Sequence, residues 1–511
     1  MLPAAEKRAN RFAFRPRGRY TTPRRFRAPA MNTINPSEPE AAAVAPVSPD
    51  SGSPILAGRV GRTLFWLALP VLAEQTLNMC VVFADIFLAR FVGPEATVAV
   101  GLAGQFSWLA GILFGLVGTG ATAVVARAFG RRDYDDANRA TNQAMLLGIA
   151  MGIATAVTVI LVSPWVPALF GLKSNAAETA RRFIRIDGFG QVLWGALFIG
   201  NACLRGSGDT RTPLRIMAVV NVVNVGISAA LSLGVPGVAN GIGITGIAVG
   251  TACARTIGGV LVLLTLSRRG LGSSAASARA ITLCPGRMRP HGPTLWRLLR
   301  IGVPAGADGL TIWVGQLLFV KVINGLATGD LQTHTYAAHI IGIRVESLSY
   351  LSAYAWAIAA ATMVGQSLGA AEPARAARSG HIAAMQSAAI AAVLGVVYYV
   401  FAPQLYGLFT KDPRVMEIGV PAMRWLALFQ IPCALMIVFP GALRGAGDTR
   451  FPFAFALIGM AGARLPLAYL GGHILRWGLP GAWMGMFADM VVRSSLNGWR
   501  FYQGGWKKAR V

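Results

Sequence analysis

Leu204-Arg205-Gly206-Ser207-Gly208-Asp209-Thr210-Arg211 is written a second time, almost unchanged, as Leu443-Arg444-Gly445-Ala446-Gly447-Asp448-Thr449-Arg450. Each copy has a proline two residues past its last arginine, Pro213 and Pro452, and the copies lie 239 positions apart. A second pair keeps that offset: Ala126-Arg127-Ala128-Phe129-Gly130 with acidic Asp133, against Gly365-Gln366-Ser367-Leu368-Gly369 with Glu372. One offset shared by separate segments means duplication of a whole unit of about 240 residues. In an apolar chain, two large copies point to a two-lobed membrane fold with its site between the lobes.

The composition agrees with a membrane chain. Apolar residues make up 54% of the 511, charged residues 13%, and the mean hydropathy is +0.53. Soluble domains carry about 25% charged residues, so most of this surface must face something other than water. Sixty glycines and 28 prolines suit membrane helices, which tolerate both better than soluble ones do. The net charge of +26 raises the question of nucleic acid. Its excess sits in the N-terminal tail and in loops, without a nucleic-acid module, so no nucleic-acid partner is expected. The cysteines Cys80, Cys203, Cys253, Cys284 and Cys433 are dispersed and without metal-ligand spacing. The histidines form no paired motif, and no cofactor is expected. A membrane enzyme would need a catalytic set such as His-Glu-x-x-His or Gly-x-Ser-x-Gly. Neither is present, so the chain reads as no enzyme.

Residues 1–60 read as a disordered basic tail, with nine basic side chains and only Glu6 as acid in the first 30. No apolar core follows there, so it is not a secretory signal, and Met31 offers a second plausible start. Twelve apolar spans follow, at 64–88, 96–125, 140–162, 179–203, 213–234, 242–266, 299–322, 331–361, 380–402, 416–440, 452–473 and 479–502. They define an N-terminal six-helix lobe over 61–266, a linker over 267–298, a C-terminal six-helix lobe over 299–502 and a basic tail over 503–511. Basic connectors recur after the even-numbered spans, which places those exits, and both termini, in the cytoplasm. Lys173, Arg181, Arg182 and Arg185 at an external end are the exception. Six spans is an even number, so the halves run in parallel. The expected fold is an all-α integral membrane protein, twelve transmembrane helices in two six-helix lobes related by a pseudo-two-fold axis along the membrane normal. The expected location is the plasma (inner) membrane, and two lobes in one chain suffice for a monomer.

Six acids fall within or near the spans: Glu74, Asp85, Asp187, Asp308, Glu346 and Asp489. An ionised carboxylate at the bilayer centre costs roughly 2.5–3.5 kcal/mol, so each needs a reason. Asp489, four residues before Arg493, and Asp187, beside Arg185, read as locally paired. Asp85 has no opposite charge nearby until Arg90. Glu74, Asn78 and Asp85 stand within about 40° of one helical stripe, and the fifth span carries Asn221, Asn224 and Ser228 on one face. Two such seams facing each other make a small hydrated pocket for a proton or Na+; the alternative is polar groups that glue helices together. The octapeptides are not phosphate loops. Their glycines suit a tight turn, Asp209 or Asp448 caps the helix that follows, and they read as structural hinges at the lobe ends.

Taken together, the chain resembles the multidrug and toxic compound extrusion (MATE) family over about 61–506. The marks are Ala68-Leu69-Pro70, Asp85-Ile86-Phe87 leading to Gly93, Gly120-Ala121-Thr122, both octapeptides, Gly243-Ile244-Thr245-Gly246-Ile247-Ala248, Ala337-Ala338-His339 and Gly481-Ala482-Trp483. The resemblance implies a secondary active antiporter that expels cationic or lipophilic compounds in exchange for H+ or Na+. Asp85 matches the first-helix coupling acid of the DinF-like branch, Asn224 the fifth-helix Asn of an Asn-x-x-Leu-Asp pattern, and Thr251 a sixth-helix Thr near the same pocket. Ser228 replaces the Asp of that pattern, which moves the expectation from Na+ toward protons. Ile312 stands where NorM-like relatives have a seventh-helix Glu, eight residues past Pro304. The ion-coupling set is therefore Asp85, Asn224, Ser228, Thr251, Glu74 and Asn78, with the substrate-lining residues unassigned. The runner-up is a flippase or exporter of a lipid-linked or other amphiphilic metabolite, which would need a strongly basic central cavity.

Overall fold

Apolar runs of this length become helices because a bilayer leaves backbone N–H and C=O groups no partner outside their own segment. The structure, a computed structural model, describes residues 54–169, 171–172, 174–235, 239–269, 281–509 and 511. Most of the expected basic tail and the middle of the expected linker, 270–280, lie outside the described residues. Twelve long helical passes follow one another among the described residues. The first lobe contains α1 (Val60–Val92), α2 (Pro94–Gly130), α3 (Tyr134–Val162), α4 (Ser174–Ser207), α5 (Arg211–Leu233) and α6 (Ile244–Arg269). The second contains α7 (Gly292–Asn324), α8 (Asp330–Gly369), α9 (Pro373–Val400), α10 (Pro413–Leu428 with Gln430–Gly445), α11 (Arg450–Ile474) and α12 (Gly478–Gln503). Each expected span falls on one of them.

Nine of these helices are long and apolar enough to cross a membrane singly, and the bent pair in α10 makes a tenth among the described residues. The other two, α4 and α12, are diluted by Arg181, Arg182, Arg185, Asp187 and Arg205 in one, and by Asp489, Arg493 and Arg500 in the other. Much of that charge is paired inside the bundle. The 55° break in α10 falls at Phe429. Pro432 lacks the N–H that would reach back to the Leu428 carbonyl, which accounts for a kink at that turn. In α11 the wider π-helical winding takes over at Ile458–Arg464 and again at Leu470–Ile474. Pro466 removes a donor between the two stretches, and π segments cluster where helices carry function. The extended structure among the described residues is a two-residue antiparallel pair, Gly234–Val235 with Ala239–Asn240.

The lobes exchange the first halves of their leading helices. Leu64, Leu67, Ala68 and Val71 of α1 pack with Trp356, Ala360 and Phe439 of the second lobe. Leu298 and Ile301 of α7 pack with Ala121, Val125 and Leu204 of the first. Past Pro70 and Pro304 each helix returns to its own lobe: Leu88 and Ala89 join Val100 and Ile247, while Phe319 and Ile323 join Ala338 and Trp483.

The duplicated motifs meet each other at one end of the molecule. A Cβ added at Gly130 would run into the Gln366 carbonyl and the Gly369 backbone; one at Gly369 would run into the Arg127 carbonyl and the Gly130 backbone. Arg127 and Gln366 occupy equivalent places in the two copies. Each donates to the octapeptide turn of the other lobe, Arg127 Nη2 to the Ala446 carbonyl at 3.3 Å and Gln366 Nε2 to the Gly206 carbonyl at 3.0 Å. Thr362 Oγ1 adds a bond to the Arg205 carbonyl at 3.0 Å. The octapeptides are therefore an inter-lobe seam as well as turns. Their turns take φ of +96° at Gly208 and +86° at Gly447, a conformation that only glycine adopts without strain. Asp209 caps α5, accepting from the backbone N–H groups of Arg211 at 3.1 Å and Thr212 at 3.0 Å. Asp448 instead accepts two bonds from the Arg500 guanidinium of α12, both at 2.9 Å.

Candidate functional site

The pocket in the first lobe is built from one side chain on each of three helices. Asp85 lies in the half of α1 that belongs to this lobe. Asn224 of α5 donates through Nδ2 to Asp85 Oδ1 at 3.1 Å, and Thr251 Oγ1 of α6 donates to Asp85 Oδ2 at 2.8 Å. Asn224 Nδ2 also reaches Thr251 Oγ1 at 3.1 Å. Asp85 and Thr251 are 6% and 3% exposed and Asn224 is fully enclosed. Ser228, equally enclosed, is one turn along α5 and directs its hydroxyl to the Ile247 carbonyl at 3.4 Å. The α5–α6 contact here is close: a Cβ at Gly250 would strike Ser228. Asn224 Oδ1 is buried with no hydrogen-bond partner, so an acceptor is left open beside the carboxylate. The opposite face of α1 contributes Phe83, Ala84, Ile86, Phe87 and Arg90 to an apolar groove shared with Thr97.

Four of the six expected site residues thus come together, Asp85, Asn224, Ser228 and Thr251. Glu74 and Asn78 do not. Glu74 is 2% exposed and bound to Arg205 Nη1 at 2.7 Å, with Asn201 Nδ2 at 3.4 Å. Asn78 is exposed and bonds within its own helix, to the Glu74 carbonyl and to Gln75 Oε1. A stripe on a helical wheel does not make one seam when the helix passes from one lobe's core to the other's.

Of two local pairings expected from sequence, one is corrected and the other is present but joined by a nearer partner. Asp187 binds Arg255 of α6 at 2.6 Å, not Arg185, which donates instead to Ser163 Oγ at 3.2 Å. Asp489 has Arg464 of α11 as its near partner at 2.8 Å, and Arg493 stands farther off at 3.9 Å. Arg255 was not singled out by sequence. Its place four residues after Thr251, on the face that carries the pocket, was the available signal.

The second lobe does not repeat the pocket. Aligning Pro70 with Pro304, Arg211 with Arg450 and Gly246 with Gly481 puts Phe319, Ala463 and Met486 where the first lobe has Asp85, Asn224 and Thr251. The Arg464 guanidinium lies over the Phe319 ring, 5.7 Å from its centroid. Nearer the seam this lobe holds a buried ionic cluster, in which Arg444 binds Asp308 and Arg464 and Arg493 flank Asp489. Glu346 is wholly buried close by, its carboxylate facing Tyr350 and Arg464.

The repeat is matched by a known family on both sides of the seam. The MatE family profile aligns with residues 70–230 and again with 304–470. The chain belongs to the MATE family. This MATE chain is 28% identical over 455 residues to a Thermotoga maritima protein named probable multidrug resistance protein NorM, covering 88% of this chain and 94% of that one. It is 25% identical over 438 residues to the Bacillus subtilis protein named uncharacterized transporter YisQ, covering 85% and 92%. Among solved structures it superimposes on an outward-facing multidrug resistance MATE transporter of the MOP superfamily, with a TM-score of 0.80 at 19% identity over 89% of this chain and 99% of that one. A MOP superfamily transporter from Pyrococcus furiosus, whose description reports a binding pocket of reversed polarity, gives a TM-score of 0.80 at 20% identity over 90% and 100%. At these identities the likeness to the solved structures establishes the fold. Membership of a transporter family, with apolar helices of this length, makes this MATE chain a multi-pass membrane protein.

Proposed function

We propose that this protein is a secondary active multidrug efflux antiporter of the DinF-like branch, exporting cationic or lipophilic compounds in exchange for H+, with Asp85 as the proton carrier. The observation that carries the reading is the setting of Asp85: a buried carboxylate within one lobe, its hydrogen bonds supplied by the neutral donors Asn224 and Thr251. An acid in the membrane without a hydrogen-bonded counter-ion marks a proton or ion path. The names of the relatives, multidrug resistance proteins among them, support the substrate class.

The seam end is closed, held by Gly130, Gly369, Arg127 and Gln366. The basic connectors that border it support a cytoplasmic position for this end and for both termini, and on this reading the protein sits in the plasma (inner) membrane. The state is then outward-facing. Asp85 takes a proton from outside, loses its charge and no longer orients the Asn224 amide and the Thr251 hydroxyl. The outer half of α1 repacks against α5 and α6, and the cavity releases its substrate. Protonation drives release because the two forms of the site bind substrate differently; equal affinity would shift nothing. A lipid-linked anionic substrate would need a strongly basic central cavity, and Arg444, Arg464 and Arg493 of the second lobe are all engaged with carboxylates.

The test uses the full chain in sealed liposomes loaded with ethidium, under a pH gradient or a Na+ gradient applied separately. Ethidium movement driven by the pH gradient and lost in Asp85→Asn supports the reading. No movement under either gradient removes the drug-cation assignment, and movement that survives in Asp85→Asn moves coupling to another carboxylate.

A further inference from the structure

We infer that Arg255 is the residue that makes the Asp85 site select protons over Na+. The inference rests on Asp85 as the coupling carboxylate and concerns which ion that carboxylate accepts.

The pocket is close to being a Na+ site. Asp85, Asn224 Oδ1, Thr251 and Ser228 are hard oxygen donors of the kind such cations prefer. A second carboxylate stands close by, since Arg255, one helical turn past Thr251 on α6, binds Asp187. The groups contributed by α5 are the neutral Asn221, Asn224 and Ser228, and α2 contributes Ser107. Arg255 removes the second carboxylate from reach. Its Nη1 binds Asp187 Oδ1 at 2.6 Å, while Gln191 Nε2 takes Asp187 Oδ2 at 2.9 Å, so both oxygens are occupied. The guanidinium is fixed from two further sides, by Ser107 Oγ at 3.0 Å and by the Trp194 ring, whose centroid is 4.5 Å away. A planar fork held at three points is a permanent charge and not a mobile one.

The two ions respond differently to this arrangement. A proton needs a single carboxylate oxygen, which binds it alone with an ordinary pKa of about 3.9. Na+ is held only by several oxygens acting together. Arg255 and Gln191 between them occupy both oxygens of the second carboxylate, and Arg255 sets a like charge one helical turn from Thr251. What remains is one carboxylate with neutral donors, sufficient for a proton and short of a cation shell.

Removal of the guanidinium while keeping the bulk tests this. Wild type, Arg255→Gln and Arg255→Lys are reconstituted as full chains, and ethidium movement is measured under a Na+ gradient at equal pH and under a pH gradient without Na+. In detergent, the melting temperature is compared in NaCl and choline chloride, which reads Na+ binding without transport. Wild type and Arg255→Lys should respond to the pH gradient alone. Arg255→Gln should gain Na+-driven movement and Na+-specific stabilisation, with a half-effective Na+ concentration lower by roughly tenfold or more, as expected from lifting one nearby unit charge. Equal Na+ response in wild type and Arg255→Gln overturns the inference. If Arg255→Gln does not fold, Arg255→Met keeps an unbranched side chain against Trp194 and leaves the Asp187 carboxylate in place without the guanidinium. Na+ stimulation in that variant supports the inference, and indifference to Na+ overturns it. The coupling role of Asp85 fails separately, through Asp85→Asn under the pH gradient.

Discussion

Glu74 and Arg205 form a buried ion pair at 2.7 Å, and the duplication reproduces it. Glu74 is four residues past Pro70, and Asp308 is four past Pro304; Arg205 and Arg444 are the second residues of the two octapeptides. Arg444 binds Asp308 as Arg205 binds Glu74. Each pair ties the leading helix of a lobe, just beyond its proline, to the turn that crosses the seam. The repeated arginine is therefore conserved between the copies for a partner some 130 residues upstream.

Arg205→Ala leaves the Glu74 charge without its partner in the protein interior. Breaking such a pair from one side costs about 3–5 kcal/mol, so a clear drop in melting temperature in detergent is expected. Glu74→Gln combined with Arg205→Gln should recover much of the loss. A double variant as unstable as Arg205→Ala would show that packing of the arginine stem dominates.

Gly130→Val should keep the protein folded but prevent the seam from closing, because a side chain there meets the Gln366 carbonyl and the Gly369 backbone. In a background without native cysteines, Thr362→Cys reports on that end. It is 1% exposed when the seam is shut, and Gly130→Val should make it reactive to an impermeant thiol reagent. Unchanged labelling would mean that the seam can shift to admit the side chain.

Thr251→Val removes the hydroxyl that donates to Asp85 at 2.8 Å and keeps the shape of the side chain. A hydrogen bond to a charged group is worth about 1.5–3 kcal/mol, so pH-gradient-driven exchange should fall by roughly tenfold or more. Thr251→Ser should retain most of the rate. Equal loss in both variants would assign the residue to packing of α6.

Trp506→Ala tests the segment after α12. The indole is fully buried, stacks on Phe501 at 5.1 Å and donates to the Phe501 carbonyl at 2.6 Å. Three residues on, the Ala509 carbonyl accepts from Arg127 Nη1 at 2.8 Å, so this segment of the second lobe is fastened to α2 of the first. Loss of a buried tryptophan costs about 3–5 kcal/mol. Thermal unfolding should show a large destabilisation, and a near-neutral variant would mean that Arg127 and the glycine seam hold this end without it.

The sequence by itself determined the duplication, the twelve helices, the family and three helices that hold the first-lobe pocket. The duplication, the helices and the polar faces of α1 and α5 rest on apolar run length, on a repeated octapeptide and on residue types at helical spacing, all of which are local or periodic; the family and the place of Thr251 on α6 came with the resemblance of the motifs. Only the tertiary structure decided the partners of the acids. Asp187 stands two residues from Arg185 and Asp489 four from Arg493, yet their near partners are Arg255 and Arg464 on other helices. Glu74 shares a stripe with Asp85 but joins Arg205, because α1 crosses from one lobe's core to the other near Pro70. Ion pairs in a bundle follow from where helices cross, and no spacing within one helix encodes a crossing. The two lobes part company in their side chains: the repeat preserved the order of the helices, but Asp85, Asn224 and Thr251, which meet in a polar pocket in one lobe, have the apolar Phe319, Ala463 and Met486 at the equivalent positions of the other.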